Sequence, residues 1–301
     1  MDQSLQVFAT VAETRNFSRA GERLHMTQPA VSQHVRALEE RYGVRLLERD
    51  NKSVSLTRAG EIVLHHAREI GSLYRRMNEM VADLLHHTGG PLAVGASYTF
   101  GEYVLPKALA RFNLAYPDVR PSITIGNTFD IADKVRRREL DVGIVEGEEA
   151  GGGLDEEWLS DDEMVIVAGA SHPLAALQAV RAPGMLAEET WVVREPGSGT
   201  RAAADRWLAA AGIAPRRLME MGSIQSIKET VEAGLGIAFL SRLSVSKELK
   251  LGTVKLLRAP GLPFKRSFRI LLRQGDLRTR TLEAFLHQLR SAQGGKPKEQ
   301  E

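Results

Sequence analysis

Residues 24–39 have the sequence Leu-His-Met-Thr-Gln-Pro-Ala-Val-Ser-Gln-His-Val-Arg-Ala-Leu-Glu, which is the pattern of a turn followed by an amphipathic helix. Thr27 can cap this helix. Pro29 suits its first turn, because proline has no N–H and the N–H groups of the first turn have no acceptor within the helix. Apolar residues recur on one face of the helix. The other face carries amide, hydroxyl and guanidinium groups, from Gln28, Ser32, Gln33 and Arg36.

A shorter helix is predicted just before this one. Ser18 stands where an N-cap would start a helix that ends near Leu24. Two helices separated by a tight turn form a helix-turn-helix, whose second helix can enter the major groove of DNA. Glutamine pairs with adenine, arginine with guanine and serine with either. The alternative is an ordinary amphipathic helix whose outer face is polar.

The segment that follows, residues 45–56, predicts two short strands around the turn Asp50-Asn51-Lys52. Such a hairpin would form a wing beside the helix, where side chains face phosphates and fix position rather than sequence. The predicted DNA-binding residues are therefore Ser18, Thr27, Gln28, Pro29, Ser32, Gln33, Arg36, Arg49, Lys52 and Ser53.

The composition is that of a soluble globular protein and excludes a disordered or fibrous chain, with 43% hydrophobic and 26% charged residues among 301. The absence of cysteine excludes disulfides, thiolate metal sites and cysteine nucleophiles. Neither a signal peptide nor an apolar run of membrane-spanning length is found, so we expect a cytoplasmic protein without membrane partners. The net charge of +2 suggests neither a nucleic-acid-binding nor an acidic protein.

The N-terminal residues resemble the winged helix-turn-helix of LysR-type transcriptional regulators. The matching motifs are FAxVAE at 8–13, NFSxA at 16–20, LxxTQPAVSxxVxxLE at 24–39, LLxR at 46–49 and LTxAG at 56–60. Two positions depart from the family: Gly21 replaces the usual alanine, and Leu47 stands where phenylalanine is common. Neither change touches the polar face of the predicted recognition helix.

Residues 58–87 lack proline and predict one long helix. A heptad places apolar residues along one seam, which favours a two-stranded coiled coil with a second copy of the chain. The predicted dimerisation residues are Val63, Ile70, Leu73, Met77, Met80 and Leu84. Histidines at two seam positions, 66 and 87, weaken this interpretation. The alternative is a helix that packs on its own C-terminal domain.

Two histidine pairs, His65-His66 and His86-His87, lie on the same helix. Adjacent residues on a helix point about 100° apart, and no carboxylate cluster accompanies either pair in the sequence. Three to four ligands of suitable geometry are what a transition-metal site needs. We therefore expect no metal site.

After the stop at residues 88–91, short apolar runs alternate with helical segments, the pattern of an α/β domain with helix-covered sheets. The candidate strands are 92–96, 122–126, 142–145, 164–168, 191–194, 217–221, 237–240 and 269–273. The candidate helices are 103–115, 131–138, 200–211 and 224–233.

Two blocks of this alternation occur, and the segment 267–292 can return to complete the first. Together with the resemblance, which covers essentially the whole chain, this implies a multidomain α/β protein with a periplasmic-binding-protein-like effector domain. The expected parts are a winged helix-turn-helix domain (1–60), a linker helix (58–88), an effector domain (91–292) and a disordered tail (293–301). Within the effector domain, subdomain 1 would comprise 91–162 and 267–292, and subdomain 2 would comprise 163–266.

Ligands of open α/β sheets bind beyond the carboxyl ends of the strands, and four strand-to-helix junctions there carry hydroxyl groups. Each hydroxyl can equally be a plain helix cap. Together, backbone N–H groups and helix N-termini around one space favour a small anion. The predicted effector-binding residues are Ser97, Tyr98, Thr99, Thr128, Glu146, Pro196, Gly197, Ser198, Gly199, Thr200, Ser223 and Ile224.

The PGSGT segment at 196–200 and the GSxxxIK segment at 222–228 resemble those of family members that control sulfur assimilation and carbon fixation. This resemblance implies a small oxyanion or anionic metabolite, with a sulfur oxyanion as the first choice. Arg201 and Lys228 are possible charge partners, or simply solvated side chains. Glu146 would repel an anion, and we hypothesise that it moves away or takes up a proton when ligand arrives. The alternative is a surface-loop carboxylate.

No catalytic constellation is found in the sequence. The segment 95–99 fails the Gly-x-Ser-x-Gly pattern at its last position, and neither a phosphate-binding loop nor a zinc-binding His-Glu-x-x-His helix occurs. We therefore expect no enzyme and no cofactor beyond an effector.

The function implied is a DNA-binding regulator that acts as a homodimer or homotetramer on double-stranded DNA. Effector binding would change the spacing of the DNA-binding heads and the access of RNA polymerase. The alternative is a solute-binding receptor without DNA function. It would carry a secretion signal and lack a recognition helix.

Overall fold

A computed structural model of the chain describes residues 2–50, 53–83, 88–147, 151–177 and 182–292. The chain divides into two compact units, one of residues 1–87 with 137–139 and one of residues 88–136 with 140–301. No helix in the described ranges combines the length and the apolar character that crossing a bilayer requires.

The N-terminal unit contains three short helices, a hairpin and a long helix. They are α1 (Gln3–Thr14), α2 (Phe17–Leu24), α3 (Gln28–Tyr42), β1 (Leu47–Asp50), β2 (Ser53–Leu56) and α4 (Arg58–Asp83). The apolar stripe of α3 packs against α1 and the start of α4 in one core, so the predicted helix-turn-helix with its wing is present. Buried Val31, Val35 and Leu38 fix which face of α3 points outward.

The N-cap predicted for α2 is wrong by two residues. The Asn16 side chain, not that of Ser18, accepts the capping hydrogen bond, from the backbone N–H of Arg19 at 3.0 Å. Asparagine and serine are equally good caps, so the sequence alone does not choose between them. Gly21 allows close packing within this motif, because a Cβ there would lie 2.6 Å from the Met26 carbonyl oxygen.

The C-terminal unit is built on one nine-stranded sheet in the order β4-β3-β5-β11-β6-β9-β7-β8, with β10 paired to β6. The strands are β3 (Gly90–Ser97), β4 (Val119–Gly126), β5 (Val142–Glu146), β6 (Leu154–Gly169), β7 (Thr190–Arg194), β8 (Arg217–Met221), β9 (Ile237–Ser241), β10 (Val254–Leu257) and β11 (Phe264–Arg273). The helices are α5 (Tyr98–Tyr103), α6 (Leu105–Ala115), α7 (Thr128–Arg136), α8 (Pro183–Ala187), α9 (Gly199–Ala210), α10 (Ile224–Glu232), α11 (Ser246–Leu251) and α12 (Arg280–Ala292).

Each half of this sheet carries its own helices and its own core. In the first half, α5, α6 and α12 cover one face and α7 covers the other. In the second half, α8 and α9 cover one face, while α10 and α11 cover the other. Phe285 of α12 packs in the core of the first half, so the end of the described chain returns to the half in which the unit began.

Among the described strands, β6 and β11 are the two that cross from one half to the other. In the first half β5 pairs with β11, and in the second half β9 pairs with β6 from Met164 onward. Between these regions, residues 161–163 and 265–267 form a two-stranded ribbon, bordered by backbone hydrogen bonds from the Gly147 N–H to the Ser267 carbonyl at 3.3 Å and from the Arg242 N–H to the Glu163 carbonyl at 2.8 Å. The pairing register shifts just after the ribbon. Phe268 pairs with Ser160 and Arg269 pairs with Trp158, so one residue of β6 has no partner on β11.

Several features of the C-terminal unit differ from the sequence prediction, including the start of β11 at Phe264 and the unpredicted helices α8 and α11. β6 begins at Leu154, ten residues before the predicted strand. An apolar pattern does not predict this first part, because it is acidic and half exposed. The helix predicted over 103–115 is two helices that break at Val104, since Pro106 fits only the first turn of a helix. β10, which carries only two buried residues, was missed.

Candidate functional site

The polar face of α3 is exposed as predicted from its periodicity. Gln28, Gln33 and Arg36 are exposed, and Ser32 is half-buried. The Gln28 side-chain amide donates to the Ser32 hydroxyl at 2.9 Å, which aligns the first turn of the helix. Thr27 occupies the N-cap position, but its side chain makes no capping hydrogen bond.

The wing is a regular antiparallel hairpin. Leu47 pairs with Leu56, and Asp50 pairs with Ser53. Arg49 and Ser53 lie on these strands. Their side chains, and the whole of Lys52, fall outside the part of the chain that the structure describes.

The predicted dimerisation seam on α4 divides into two parts. Val63 is half-buried and packs against the core of the N-terminal unit. Ile70, Leu73 and Met77 are 45%, 47% and 50% exposed, and Met80 is half-buried. Leu84 lies outside the described residues. The exposed apolar face is wider than predicted, because further apolar side chains flank it, namely Ile62, Tyr74 and Val81.

One histidine pair has a carboxylate beside it, contrary to the sequence argument. Glu69 lies one turn after His65 and His66, at 3.8 Å and 3.0 Å from their ring nitrogens. The three possible ligand atoms lie within 4.8 Å of one another on an exposed surface. His86 and His87 lie outside the described residues.

A cavity of about 380 Å³ lies at the ends of β5 and β7, between α7 and α9 of the C-terminal unit. Six of the predicted effector-binding residues line it: Thr128, Glu146, Pro196, Gly197, Ser198 and Gly199. The two sides of the cavity meet closely, because the Phe129 N–H donates to the Gly197 carbonyl at 3.2 Å. Gly199 has no room for a side chain, since a Cβ would lie 2.5 Å from the Glu146 carbonyl oxygen.

Behind this cavity, the fully buried guanidinium of Arg266 joins the two halves. Its Nη2 donates to the Thr99 hydroxyl at 3.0 Å and its Nη1 donates to the Thr200 hydroxyl at 3.1 Å. Thr99 belongs to α5 of the first half and Thr200 to α9 of the second. Arg266 therefore contacts two predicted effector-binding residues at once, from its place on the two-stranded ribbon.

Arg266 is neutralised by carboxylates in the same buried cluster. Its Nε donates to Asp162 Oδ2 at 2.7 Å, directly across the ribbon. The Ser241 hydroxyl donates to the other oxygen of Asp162 at 2.6 Å. Such a pair is stable only when its remaining hydrogen-bonding capacity is used, as it is here.

Glu146 is buried at the end of β5 and is not a surface-loop carboxylate. Its Oε1 accepts from the backbone N–H of Thr99 at 3.1 Å and lies 3.6 Å from Arg266 Nη2. Its backbone carbonyl accepts from the Thr128 hydroxyl at 3.2 Å. The carboxylate thus occupies a position that two donors make favourable for negative charge.

The other predicted hydroxyl groups have different roles. Ser198 and Ser223 cap helices, since their side chains accept from the N–H groups of Thr200 and Ser226, and Ser198 also lines the cavity. Ser97 is 1% exposed, and its hydroxyl has no hydrogen-bond partner among the described residues. Ile224 starts α10 and is buried.

Two cation–aromatic contacts also join the halves. The guanidinium of Arg194, at the end of β7, lies 4.3 Å from the ring centre of Tyr98. The ammonium of Lys228 lies 5.5 Å from the ring centre of Tyr103 and 2.6 Å from Glu248 Oε1. Burial alone would lower the pKa of Lys228, but Glu248 and Tyr103 outweigh it and raise that pKa above its ordinary value.

The two cations suggested by the sequence therefore differ in position. Lys228 is committed to Glu248 and does not line the cavity. Arg201 does line it, while it also binds Asp205 at 3.0 Å and the Arg194 carbonyl at 3.0 Å.

Sequence reasoning missed Arg266 and Asp162. They are 104 residues apart and meet only because β6 and β11 pair. The available signal was the charge that precedes two candidate strands, an acidic run at 161–163 and a basic one at 265–266. Burial of such charges requires a partner, but a single sequence does not say which partner it is.

Comparison with known proteins gives two family matches that together span nearly the whole chain. Residues 3–61 match the family described as "Bacterial regulatory helix-turn-helix protein, lysR family". Residues 86–294 match the "LysR substrate binding domain".

Two curated relatives and one solved structure are similar over most of their own length. The transcriptional regulator CysL of Bacillus subtilis is 34% identical, over 95% of this chain and 96% of the relative. The RuBisCO operon transcriptional regulator of Allochromatium vinosum is 32% identical, over 94% and 93%. The regulatory domain of CcmR from Synechocystis PCC6803, in complex with 2-PG, is 26% identical with a TM-score of 0.63, over 68% of this chain and 98% of that domain.

Proposed function

The chain belongs to the LysR family of transcriptional regulators, and we propose that it senses a small anion between the halves of its C-terminal unit. It is a DNA-binding regulator with an effector-binding domain, not an enzyme. We further propose that it acts in the cytoplasm, as a homodimer or homotetramer on dyad-symmetric promoter DNA, and that it controls the access of RNA polymerase.

The buried Arg266 cluster carries the effector proposal. Arg266 and the Thr99 N–H already hold one carboxylate, that of Glu146, beside the cavity. An anion with oxygens of similar spacing can take over these two contacts when Glu146 swings away. The unpartnered hydroxyl of Ser97 supplies a further donor at the start of the same helix. Charge-assisted hydrogen bonds of this kind are about twice as strong as neutral ones.

Within this class, a sulfur oxyanion remains our first choice because of the PGSGT and GSxxxIK segments. Glycine at 197 and 199 leaves the backbone open to the cavity, and Ser198 and Thr128 add hydroxyl groups at its wall. Sulfate, sulfite and thiosulfate are therefore the first anions to test.

The test is a thermal-shift titration with sulfate, sulfite and thiosulfate against sodium chloride at equal ionic strength. A ligand at 100 times its dissociation constant stabilises the folded state by about 2.7 kcal/mol, so a specific anion gives a saturating rise in melting temperature. If none of these anions shifts the melting temperature more than chloride does, the proposed sulfur oxyanion is wrong.

Glu146→Gln tests the role of the competing carboxylate. Removal of its charge should tighten anion binding several-fold, and should flatten the dependence of affinity on pH if the glutamate takes up a proton when ligand enters. Glu188→Gln, at an exposed ion pair with Arg216, is the matched control and should bind like the wild type. Equal affinity and an equal pH profile for the wild type and Glu146→Gln would exclude the gate.

The DNA-binding proposal rests on the exposed polar face of α3, and the oligomer proposal rests on the exposed apolar face of α4. One winged helix-turn-helix domain contacts few base pairs, and its near-neutral charge gives it little affinity for DNA. Binding of two such domains in one dimer supplies the missing affinity. Residues 1–60 contain nine Arg or Lys and seven Asp or Glu residues. Specific placement of charge therefore matters more than its total.

A further inference from the structure

A second cavity, of about 340 Å³, lies in the second half of the C-terminal unit, away from the Arg266 cluster. Its described wall is apolar throughout and carries no charged side chain. The main contributors are Leu186, Trp207, Ala210, Ile213, Gly261 and Phe264. The size is within the range of small-molecule sites, about 300–1,000 Å³.

The indole N–H of Trp207 distinguishes this cavity from an ordinary packing gap. Trp207 is 3% exposed, yet its Nε1 donates no hydrogen bond within the described part of the chain. The indole groups of Trp158 and Trp191 both have acceptors, Asp161 at 3.2 Å and the Leu186 carbonyl at 2.8 Å. The Nε1 atom itself stays within reach of solvent, so it is available to donate to an acceptor that enters the cavity.

The surroundings of Trp207 leave this N–H accessible from the cavity. Gly261 has φ +78°, and a Cβ built there would lie 3.5 Å from Trp207 Nε1. A glycine thus keeps the space beside the N–H open where a side chain would fill it. Trp207 also stacks on Phe239, with ring centres 5.5 Å apart and planes 22° apart, which holds the indole in one orientation.

We propose that this cavity binds a neutral, planar aromatic molecule of about two fused rings, with a hydrogen-bond acceptor at one edge. Phe264 and Trp207 supply flat apolar surface, and Trp207 Nε1 supplies the one directional polar contact from a side chain. No charged side chain lines the described wall, which disfavours the anions proposed for the other cavity, although the Arg206 guanidinium contacts the Phe264 ring, 5.7 Å from its centre. The site lies at the C-terminal end of α9, whose N-terminal end lines that cavity, so both ligands would contact one helix.

Quinoline is a suitable probe, because it is planar, neutral at pH 7 and carries one ring-nitrogen acceptor. Isothermal titration with the full chain should give saturable binding at one site per chain. Ala210→Phe fills the cavity from an exposed helix position and should weaken binding at least about tenfold. Ala209→Phe introduces the same side chain at the neighbouring exposed position, which does not line the cavity, and should bind like the wild type.

Trp207→Phe tests the hydrogen bond itself. It keeps an aromatic ring and removes the donor, so quinoline should bind about two- to tenfold more weakly. The melting temperature of each variant establishes that it is folded. Failure of quinoline to saturate the wild type, or unchanged binding in Ala210→Phe or Trp207→Phe, would overturn the proposal. A different outcome is possible if the wild type does not bind quinoline. If Ala210→Phe then changes the sedimentation coefficient, this face is a contact between chains and not a ligand site.

Discussion

Arg266 is a charge with no exposed surface, held by Asp162 and near Glu146. Replacing it with methionine leaves two buried carboxylates without a counter-charge. We expect Arg266→Met to lower the free energy of unfolding by about 3–5 kcal/mol, because unpaired buried charge is far more costly than a lost surface ion pair. Urea unfolding followed by circular dichroism measures this.

Arg242→Met is the matched control for that substitution. Arg242 pairs with Glu163 at 3.6 Å, on the neighbouring surface, and both side chains are about half exposed. Its removal should cost at most about 1 kcal/mol. Equal losses for the two variants would show that the Arg266 cluster contributes no more than a surface pair.

Glu195 predicts a pH dependence of stability. Burial would raise the pKa of its carboxyl group, but hydrogen bonds from Arg194 at 2.7 Å outweigh this and keep the pKa below the ordinary value of 4.5. A lowered pKa in the folded state contributes stability that is complete above pH 4.5 and is lost as the pH falls through the folded-state value.

Glu195→Gln keeps an acceptor for Arg194 but does not titrate. The free energy of unfolding should therefore fall less steeply for this variant than for the wild type between pH 5 and pH 3. Unfolding in urea at half-unit pH intervals measures the two slopes, and parallel slopes would contradict the role of Glu195.

Two residues of the DNA-binding domain should affect binding differently. Arg36→Ala removes a group on the recognition helix and should cost about 1–3 kcal/mol on the specific site while relaxing one base position. Lys52→Ala removes the proposed phosphate contact and should weaken all sequences alike. Retardation assays with specific and random DNA separate the two effects, and equal losses on both DNAs for both variants would reverse the assignment.

Among the elements, α4 carries the prediction about assembly. Leu73 lies in the exposed apolar face, whereas Arg75 lies on the opposite side of the heptad. Leu73→Glu should dissociate the proposed oligomer, because burying the new carboxylate at a seam is costly. Arg75→Glu introduces the same side chain off the seam and should leave the mass unchanged. Sedimentation velocity measures both, and an intact Leu73→Glu oligomer would place the interface elsewhere.

The sequence predicts elements well where a local pattern is sufficient. The 3.6-residue spacing of Val31, Val35 and Leu38 locates the recognition helix, and apolar runs locate all but one strand. Predictions fail where tertiary contacts decide, as in the acidic first part of β6 and the pairing of Asp162 with Arg266. For the same reason, the strand-to-helix junctions predict which hydroxyl residues lie near the cavity. They do not predict the hydrogen-bond partner of each hydroxyl group.

For the whole molecule, anion binding and DNA binding should be coupled. If an anion changes the affinity for promoter DNA by some factor, DNA must change the affinity for the anion by the same factor. Titrations of the anion with and without DNA, and of DNA with and without the anion, give the two factors. Two factors that both equal one would exclude regulation through this cavity.

The two-stranded ribbon of residues 161–163 and 265–267 has a mechanical consequence. A pair of strands resists stretching but twists more readily than a wide sheet. We therefore expect relative movement of the two halves to be chiefly a rotation about the ribbon, resisted by the buried Asp162–Arg266 pair and by the Phe129–Gly197 backbone hydrogen bond. The torsional stiffness at this crossing, rather than the area of the cavity, then determines how much rotation a given effector binding energy produces.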